Sequence, residues 1–380
     1  MKESYVLVDT EVLQSNIDNI ITKYNDYKYY IGVVKGNAYG HGMDSVKYMV
    51  KSGINYLAVS TLEEALKVRS LVDTNILCLQ PIDIKELQLA SKNNITITIS
   101  SYDYYKKVID TNLNLTVHLK IDSGMNRLGL NKKNEINEIY SSLIKSKNIH
   151  LEGIYTHLAT VGIIDKKWDN QVDKFLDLTS DIDLNKIKII HLYSTNSLVI
   201  HPKLKFANGV RIGILMYGIS PREINYSGIK GKIRKIKKDY LVKKYDISFV
   251  NEVYGIKVKP CLKLISKVIE IKDVEKNEYI GYGLKYKTES NCKVAIVPIG
   301  YADGLSLNNS GRFVTINDKK YKIVGSINMK MITILVDDDV KLEDEVIVIG
   351  EDARSISAYT KTTPQNLFTT IPSNIPRVYK

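Results

Sequence analysis

The 380-residue chain has little of what marks a secreted or membrane-spanning protein. It holds only three cysteines, Cys78, Cys261 and Cys292. They are scattered without metal-ligand spacing, which excludes a disulfide framework and a zinc cluster and suits reduced thiols in the cytoplasm. No apolar run is long enough to cross a bilayer, and the first residues, MKESYVLVDTEVL, lack the apolar centre of a signal peptide. There is no internal repeat and no low-complexity tail. What is present is an ordinary globular composition, 44% hydrophobic and 25% charged, at a length that suits about two domains. The formal charge of +12 raises a nucleic-acid or anionic-membrane partner. The lysines are mixed with acids, however, except between Lys230 and Lys244, so neither a nucleic-acid nor a membrane partner is expected. That cluster reads as a solvated insertion.

The first half alternates strand-length apolar runs with helical spacing. The runs are Gly32–Val34, Tyr56–Val59, Asn75–Leu79, Ile95–Ile99, Leu115–Ile121, Ile149–Tyr155, Ile187–Leu192 and Val210–Ile212. Ser60 or Thr61 ahead of Glu63 and Glu64 marks one helix start. Eight such repeats predict an α/β chain with a (β/α)8 TIM-like barrel, with a doubly wound sheet as the other arrangement the periodicity allows. The barrel is favoured because Lys35, Lys120, His157 and Arg211 fall at or just past strand ends, where barrel sites are built. After about residue 235 short β-branched runs and turn signals predict a mostly β domain, with one helix near Ser357–Lys361. The expected division is 1–235 and 236–380. An early run, Tyr5–Val8, could pair with the barrel.

The chemistry begins at Val33-Val34-Lys35-Gly36-Asn37-Ala38-Tyr39-Gly40-His41-Gly42. A lysine ending a buried strand, followed by a glycine turn, can be desolvated, lose its proton and bond covalently to a carbonyl group. These ten residues resemble the pyridoxal 5'-phosphate attachment motif of the alanine racemase family, usually VVKANAYGHG, with Gly36 in place of one alanine. The resemblance runs over nearly the whole chain. It implies Lys35 as cofactor lysine and base, and Tyr39 as a phosphate contact. His191-Leu192-Tyr193-Ser194-Thr195-Asn196-Ser197 resembles HCANSAA, which implies Asn196 and Ser197 at the phosphate. Val210-Arg211-Ile212-Gly213-Ile214-Leu215-Met216-Tyr217-Gly218 matches VRxGIxxYG. It implies Gly213 and Ile214 at the phosphate and Arg211 facing the ring nitrogen, with His157 near the ring and His191 orienting the arginine. An arginine there leaves the ring a weak electron sink, which restrains side reactions.

The stretch from Val117 to Gly129 resembles HLKVDTGMGRLG. It implies that Lys120 can be carbamylated and that Arg127 binds the substrate carboxylate. Ile280-Gly281-Tyr282-Gly283 resembles SYGATY, which makes Tyr282 the second base. Racemisation needs proton-transfer groups on both faces of the α-carbon. The family takes this tyrosine from a partner subunit, which implies a homodimer, with Tyr301 and Met329 on the partner side. The implied activity is alanine racemisation supplying D-alanine for peptidoglycan, with no metal. Serine or a larger amino acid is the nearest alternative, because the entrance departs from the family pattern. Ser373 and Asn374 stand where tyrosine and arginine are usual, Ser326 and Lys330 replace arginine and aspartate, and Gly162 replaces an aspartate. A cofactor-binding regulatory protein on a related barrel is disfavoured by Tyr282 and the long second half. A nucleic-acid-binding protein rests on charge alone.

Overall fold

The computed structural model describes residues 4–159, 166–221, 228–245 and 255–380. Thr160 and Gly162 lie outside the described residues. The first sheet is wholly parallel. From one side it runs through Ile189–His191, Ile149–Tyr155, Leu115–Lys120, Ile95–Ile99, Asn75–Cys78, Tyr56–Val59, Tyr29–Val33 and Gly209–Ile212 to Tyr193–Ser194. Its two ends are consecutive in sequence, interrupted only at Leu192, so one broken strand closes the sheet into the expected eight-stranded barrel. Its strands are nearly continuous buried runs, as a sheet covered on both faces requires. The helix after Thr61 starts where its cap predicts, the Thr61 side chain accepting from the Glu64 N–H, and Ser101 caps the next-but-one α-helix in the same way, accepting from the Tyr104 N–H. The barrel interior divides by chemistry. One side is apolar, from Ile31, Val33, Tyr56, Ala58, Leu77 and Ile189, and the other holds buried His118, Glu152, His191 and Arg211.

The second sheet has nine strands among the described residues, ordered Glu270–Val274, Cys292–Val297, Ile332–Val336, Lys319–Val324, Phe313–Ile316, Glu345–Ile349, Leu262–Lys267, Tyr5–Val8 and Arg377–Tyr379. Many of these strands alternate buried and less buried residues, as one-sided packing demands. Tyr5–Val8 therefore does not join the barrel. It lies between Leu262–Lys267 and Arg377–Tyr379, because a closed barrel has no free edge to pair with. The helix expected at Ser357–Lys361 is Ala353–Tyr359, and a second, Pro364–Thr369, follows it. The dividing point expected after residue 235 falls within the helix Gly228–Tyr245.

The second unit reaches back onto the barrel mouth. Arg377 donates from Nε and Nη2 to the Gly40 carbonyl at 3.1 and 3.0 Å, and Tyr379 Oη donates to the His41 carbonyl at 3.1 Å. These contacts hold the turn after Lys35. Gly36, Asn37, Ala38, Tyr39 and Gly40 all have positive φ, between 51° and 79°, a left-handed turn that L residues adopt at a cost.

Candidate active site

At the mouth formed by the strands' C-terminal ends lies a cavity of about 390 Å³. Its lining includes Lys35, Tyr39, Lys120, Arg127, His157 and Arg211, with Ser194, Thr195, Asn196, Gly213 and Ile214 along another wall. Four of these side chains are cations, and among the described residues no carboxylate lines the cavity. The site is built to receive anionic groups.

Each lysine is perturbed by that crowding. Burial, followed by Arg127, lowers Lys35 below the ordinary lysine range, against a smaller opposing pull from Glu64. Burial and the nearby Arg211 and Arg127 bring Lys120 down to about 8. His157 falls to about 3 by burial and by Arg211, so it stands as a neutral imidazole. Burial lifts Tyr39 to about 12, keeping it a protonated donor. Both Lys35 and Lys120 can therefore present a neutral amine far more readily than exposed lysines.

Arg211 is buried and held from several sides. Its Nη1 donates to His191 Nδ1 at 2.7 Å and to the His191 carbonyl at 2.5 Å. Its Nη2 donates to the carbonyls of Thr156 at 2.8 Å and Leu192 at 3.2 Å, and to His157 Nδ1 at 3.3 Å. Arginine only donates, so His191 Nδ1 must accept and its proton must sit on Nε2. That proton is given to His118 Nδ1 at 3.0 Å, and His118 Nε2–H then faces Glu152 Oε2 at 3.3 Å. Glu152 also accepts from Lys188 Nζ at 2.7 Å and from Tyr56 Oη at 2.8 Å. Burial pushes the Glu152 carboxyl up, but hydrogen bonds from His118 and Lys188 outweigh it and hold it near 2. A directed chain of neutral imidazoles thus joins a buried cation at the mouth to a carboxylate deep in the barrel.

Two local devices make room for this chain. The pairing of Leu115–Lys120 with Ile149–Tyr155 slips, so that Val117 faces Leu151 and His118 faces Gly153; Glu152 is the extra, bulged residue. A Cβ on Gly153 would stand 2.6 Å from the His118 ring, so the imidazole occupies space that only glycine leaves.

The expected phosphate wall lies at the first turn of the helix Thr195–Ile200. Asn196 lines the cavity, but Ser197 does not. The Ser197 hydroxyl accepts from the Ser194 N–H at 2.7 Å and donates to the Ser194 carbonyl at 3.1 Å, inside a capping box. Asn196 and Ser197 thus sit in the first turn of the helix Thr195–Ile200, and its N-cap Ser194 and first residue Thr195 also line the cavity. Gly213 donates its N–H to Thr195 Oγ1 at 3.0 Å. A Cβ at Gly213 would lie 2.9 Å from Tyr39 Oη, so hydroxyl and glycine face each other across a cradle that a side chain would fill. Backbone N–H groups, hydroxyls and an arginine in one cationic cavity fit the phosphate and ring of pyridoxal 5'-phosphate.

Glu64 was legible only as a helix residue. Its Oε1 accepts from Gly36 N–H at 2.6 Å and its Oε2 from Ser60 N–H at 2.8 Å, pinning the start of the Lys35 turn. A second cavity, about 730 Å³ and more open, adjoins the first. It shares Lys35, Tyr39, Ser60 and Gln365 with it and adds Glu63, Glu64 and Ser373.

Tyr282, Tyr301 and Met329 do not line the Lys35 cavity. They stand exposed on the second unit, at 77%, 45% and 58%. Gly281 and Gly283, both with positive φ, lift Tyr282 on a short knuckle, and Ser326 Oγ donates to the Tyr282 carbonyl at 3.0 Å. Lys330 pairs with Asp303 at 2.5 Å, and Asp303 caps the Gly300 N–H at 3.0 Å, so its charge is locally compensated.

Comparison with known proteins agrees along the chain. Residues 8–221 match the alanine racemase N-terminal domain and residues 261–379 the alanine racemase C-terminal domain. The alanine racemase of Streptococcus mutans is 31% identical over 98% of this chain and 96% of its own, and that of Clostridium tetani 33% over 92% and 88%. Among solved structures, an alanine racemase of Clostridium difficile superposes with a TM-score of 0.85 at 30% identity, covering 100% of this chain and 96% of that one. An alanine racemase of Bacillus anthracis with bound L-Ala-P gives 0.84 at 29%, covering 100% and 95%.

Proposed function

The chain belongs to the alanine racemase family of isomerases, pyridoxal 5'-phosphate-dependent amino-acid racemases, and from that premise we propose that it interconverts L- and D-alanine by proton transfer from two sides. The observation that carries this reading is the cavity in which a desolvated Lys35 and a buried Arg211 stand with Lys120 and Arg127, with no carboxylate among the described lining residues. Lys35, Tyr39, Asn196, Ser197, Gly213, Ile214, Arg211 and His157 are the residues that would hold the cofactor, with Thr195 beside them in the cavity lining. When bound, the cofactor acts as an electron sink that makes the substrate's α-hydrogen acidic.

Lys35 Nζ, lowered by burial and neighbouring cations, carries or gives up a proton on one face of the α-carbon. Arg127 receives the substrate carboxylate and Lys120 stands beside it, open to carbamylation in its neutral form. The opposite face needs a second group. We assign it to the partner's Tyr282 in a homodimer, with the partner's Tyr301 and the partner's Met329 at the rim. Their exposure, and their absence from the lining of their own chain's Lys35 cavity, support that assignment. Supply of D-alanine for peptidoglycan, in the cytoplasm, follows as the physiological role. No helix among the described residues is long and apolar enough to cross a membrane.

The second reading is the same chemistry on serine or a larger amino acid. It is favoured by Ser373, which lines the adjoining cavity beside Lys35. A racemisation assay across alanine, serine, lysine, arginine and glutamate decides between them; inertness toward all five overturns both. Borohydride reduction of the loaded protein should fix the cofactor on Lys35, and a label on Lys120 would reverse the assignment.

A further inference from the structure

The two family-matched stretches end at residue 221 and resume at 261. Between them the described residues form an 18-residue helix, Gly228–Tyr245. It carries eight basic side chains against one acid, Asp239, a balance of +7 within a chain total of +12. At about 100° per residue, Ile229, Ile233, Ile236 and Tyr240 fall on one stripe roughly 60° wide. All four are turned to water, with 80%, 61%, 70% and 60% of their surface exposed. Gly231 and Val242 lie opposite and are the more covered side, so the stripe points away from the rest of the protein. Lys230, Lys237 and Lys244 border it on one flank and Lys232 and Lys243 on the other. Lys244 Nζ sits 5.7 Å from the centre of the Tyr240 ring.

This arrangement selects among partners. Isoleucine is not a favoured helix former, so helix propensity does not account for three of them in one exposed row. A nucleic-acid backbone would engage the lysines and leave the isoleucines in water. An anionic bilayer takes both, with apolar side chains and the tyrosine at the acyl boundary and ammonium groups on the headgroup phosphates. The helix is only about 27 Å long and too charged to cross, which leaves it lying flat. We propose that Gly228–Tyr245 docks this protein onto the surface of an anionic phospholipid bilayer. The surface is separate from the Lys35 cavity and does not depend on the catalytic reading. It departs from the composition-based expectation of no membrane partner.

The test uses the full-length protein and sedimented vesicles, one set of phosphatidylcholine alone and one containing one part in three phosphatidylglycerol. Binding is expected to the anionic set only, falling about tenfold or more between 0.1 and 0.5 M salt. The double variant Ile233→Glu/Ile236→Glu should lose about tenfold or more in vesicle affinity and keep its racemase activity in solution. A second variant guards against misfolding. Ile236→Trp should shift its emission to the blue on anionic vesicles, against the constant background of the buried Trp168. Four results overturn the proposal: no binding to anionic vesicles, equal binding by the double glutamate variant, displacement of the stripe's environment by duplex DNA but not by vesicles, or a changed assembly mass on substituting the isoleucines.

Discussion

Glu152 shows how one side chain can act at a distance of several others. It accepts from His118, Lys188 and Tyr56, and through His118 and His191 it is tied to the Arg211 guanidinium. Its carboxyl is depressed from 4.5 to about 2. The stabilisation this represents is complete above the unfolded value and disappears as pH falls from about 4.5 towards 2, at most about 3 kcal/mol. Urea unfolding followed across that window should show this loss in the wild type and a clearly smaller one in Glu152→Gln. Because the substitution weakens the acceptor at the end of the chain, it should also cost about 1–3 kcal/mol at neutral pH. Equal pH slopes for the two proteins would show that Glu152 is not held as described. Ser373 poses a question of specificity at the same scale. A small residue beside Lys35 rejects an added hydroxyl weakly, since a pocket discriminates against one extra group by only about 1–3 kcal/mol. Alanine and serine should both turn over, and Ser373→Tyr should lower the serine-to-alanine ratio of kcat/KM about tenfold. An unchanged ratio would mean that this position does not gate the site.

At the scale of an element, the turn after Lys35 is the one that the rest of the fold must hold. Five successive residues have positive φ, three of them not glycine. The cost is met by contacts from elsewhere: Glu64 on the Gly36 N–H, and Arg377 and Tyr379 on the carbonyls of Gly40 and His41. Gly36 eases this turn because it adopts φ +65° without penalty. A Cβ there meets nothing nearer than Thr369 Cγ2 at 3.4 Å, so alanine, the residue usual in the resembling motif, fits the space. Gly36→Ala should therefore lower stability by about 1 kcal/mol, through backbone conformation alone, and leave cofactor binding intact. Chemical denaturation with a cofactor titration checks both halves. A loss of several kcal/mol, or loss of the cofactor, would mean that the space is tighter than it stands.

For the whole molecule, the two bases proposed for racemisation do not share a cavity on one chain. Lys35 lies in the barrel mouth, whereas Tyr282 is raised and exposed on the second unit. A second copy related by two-fold symmetry can bring one to the other. Lys35→Ala and Tyr282→Phe should each be nearly inactive. Mixed as heterodimers they should regain about one working site per dimer, because one intact Lys35 then meets one intact Tyr282. Subunit exchange without recovery would place both groups within one chain.

The sequence by itself determined the barrel, because continuous β-branched runs and capped amphipathic stretches are local signals that survive without knowing their partners. It also determined most of the cavity: Lys35, Tyr39, Lys120, Arg127, His157, Asn196, Arg211, Gly213 and Ile214 all line it. Tertiary structure alone decided three things. Tyr5–Val8 pairs across more than 250 residues, a choice set by which sheet edge remains open. The capping box at Thr195–Ile200 ties the Ser197 hydroxyl to Ser194 and brings Ser194 and Thr195 to the cavity beside Asn196. The charge of Arg211 is connected to Glu152 only because a bulge and the missing side chain of Gly153 let two imidazoles lie between them. Each of these depends on packing between distant segments, and no local pattern carries that information.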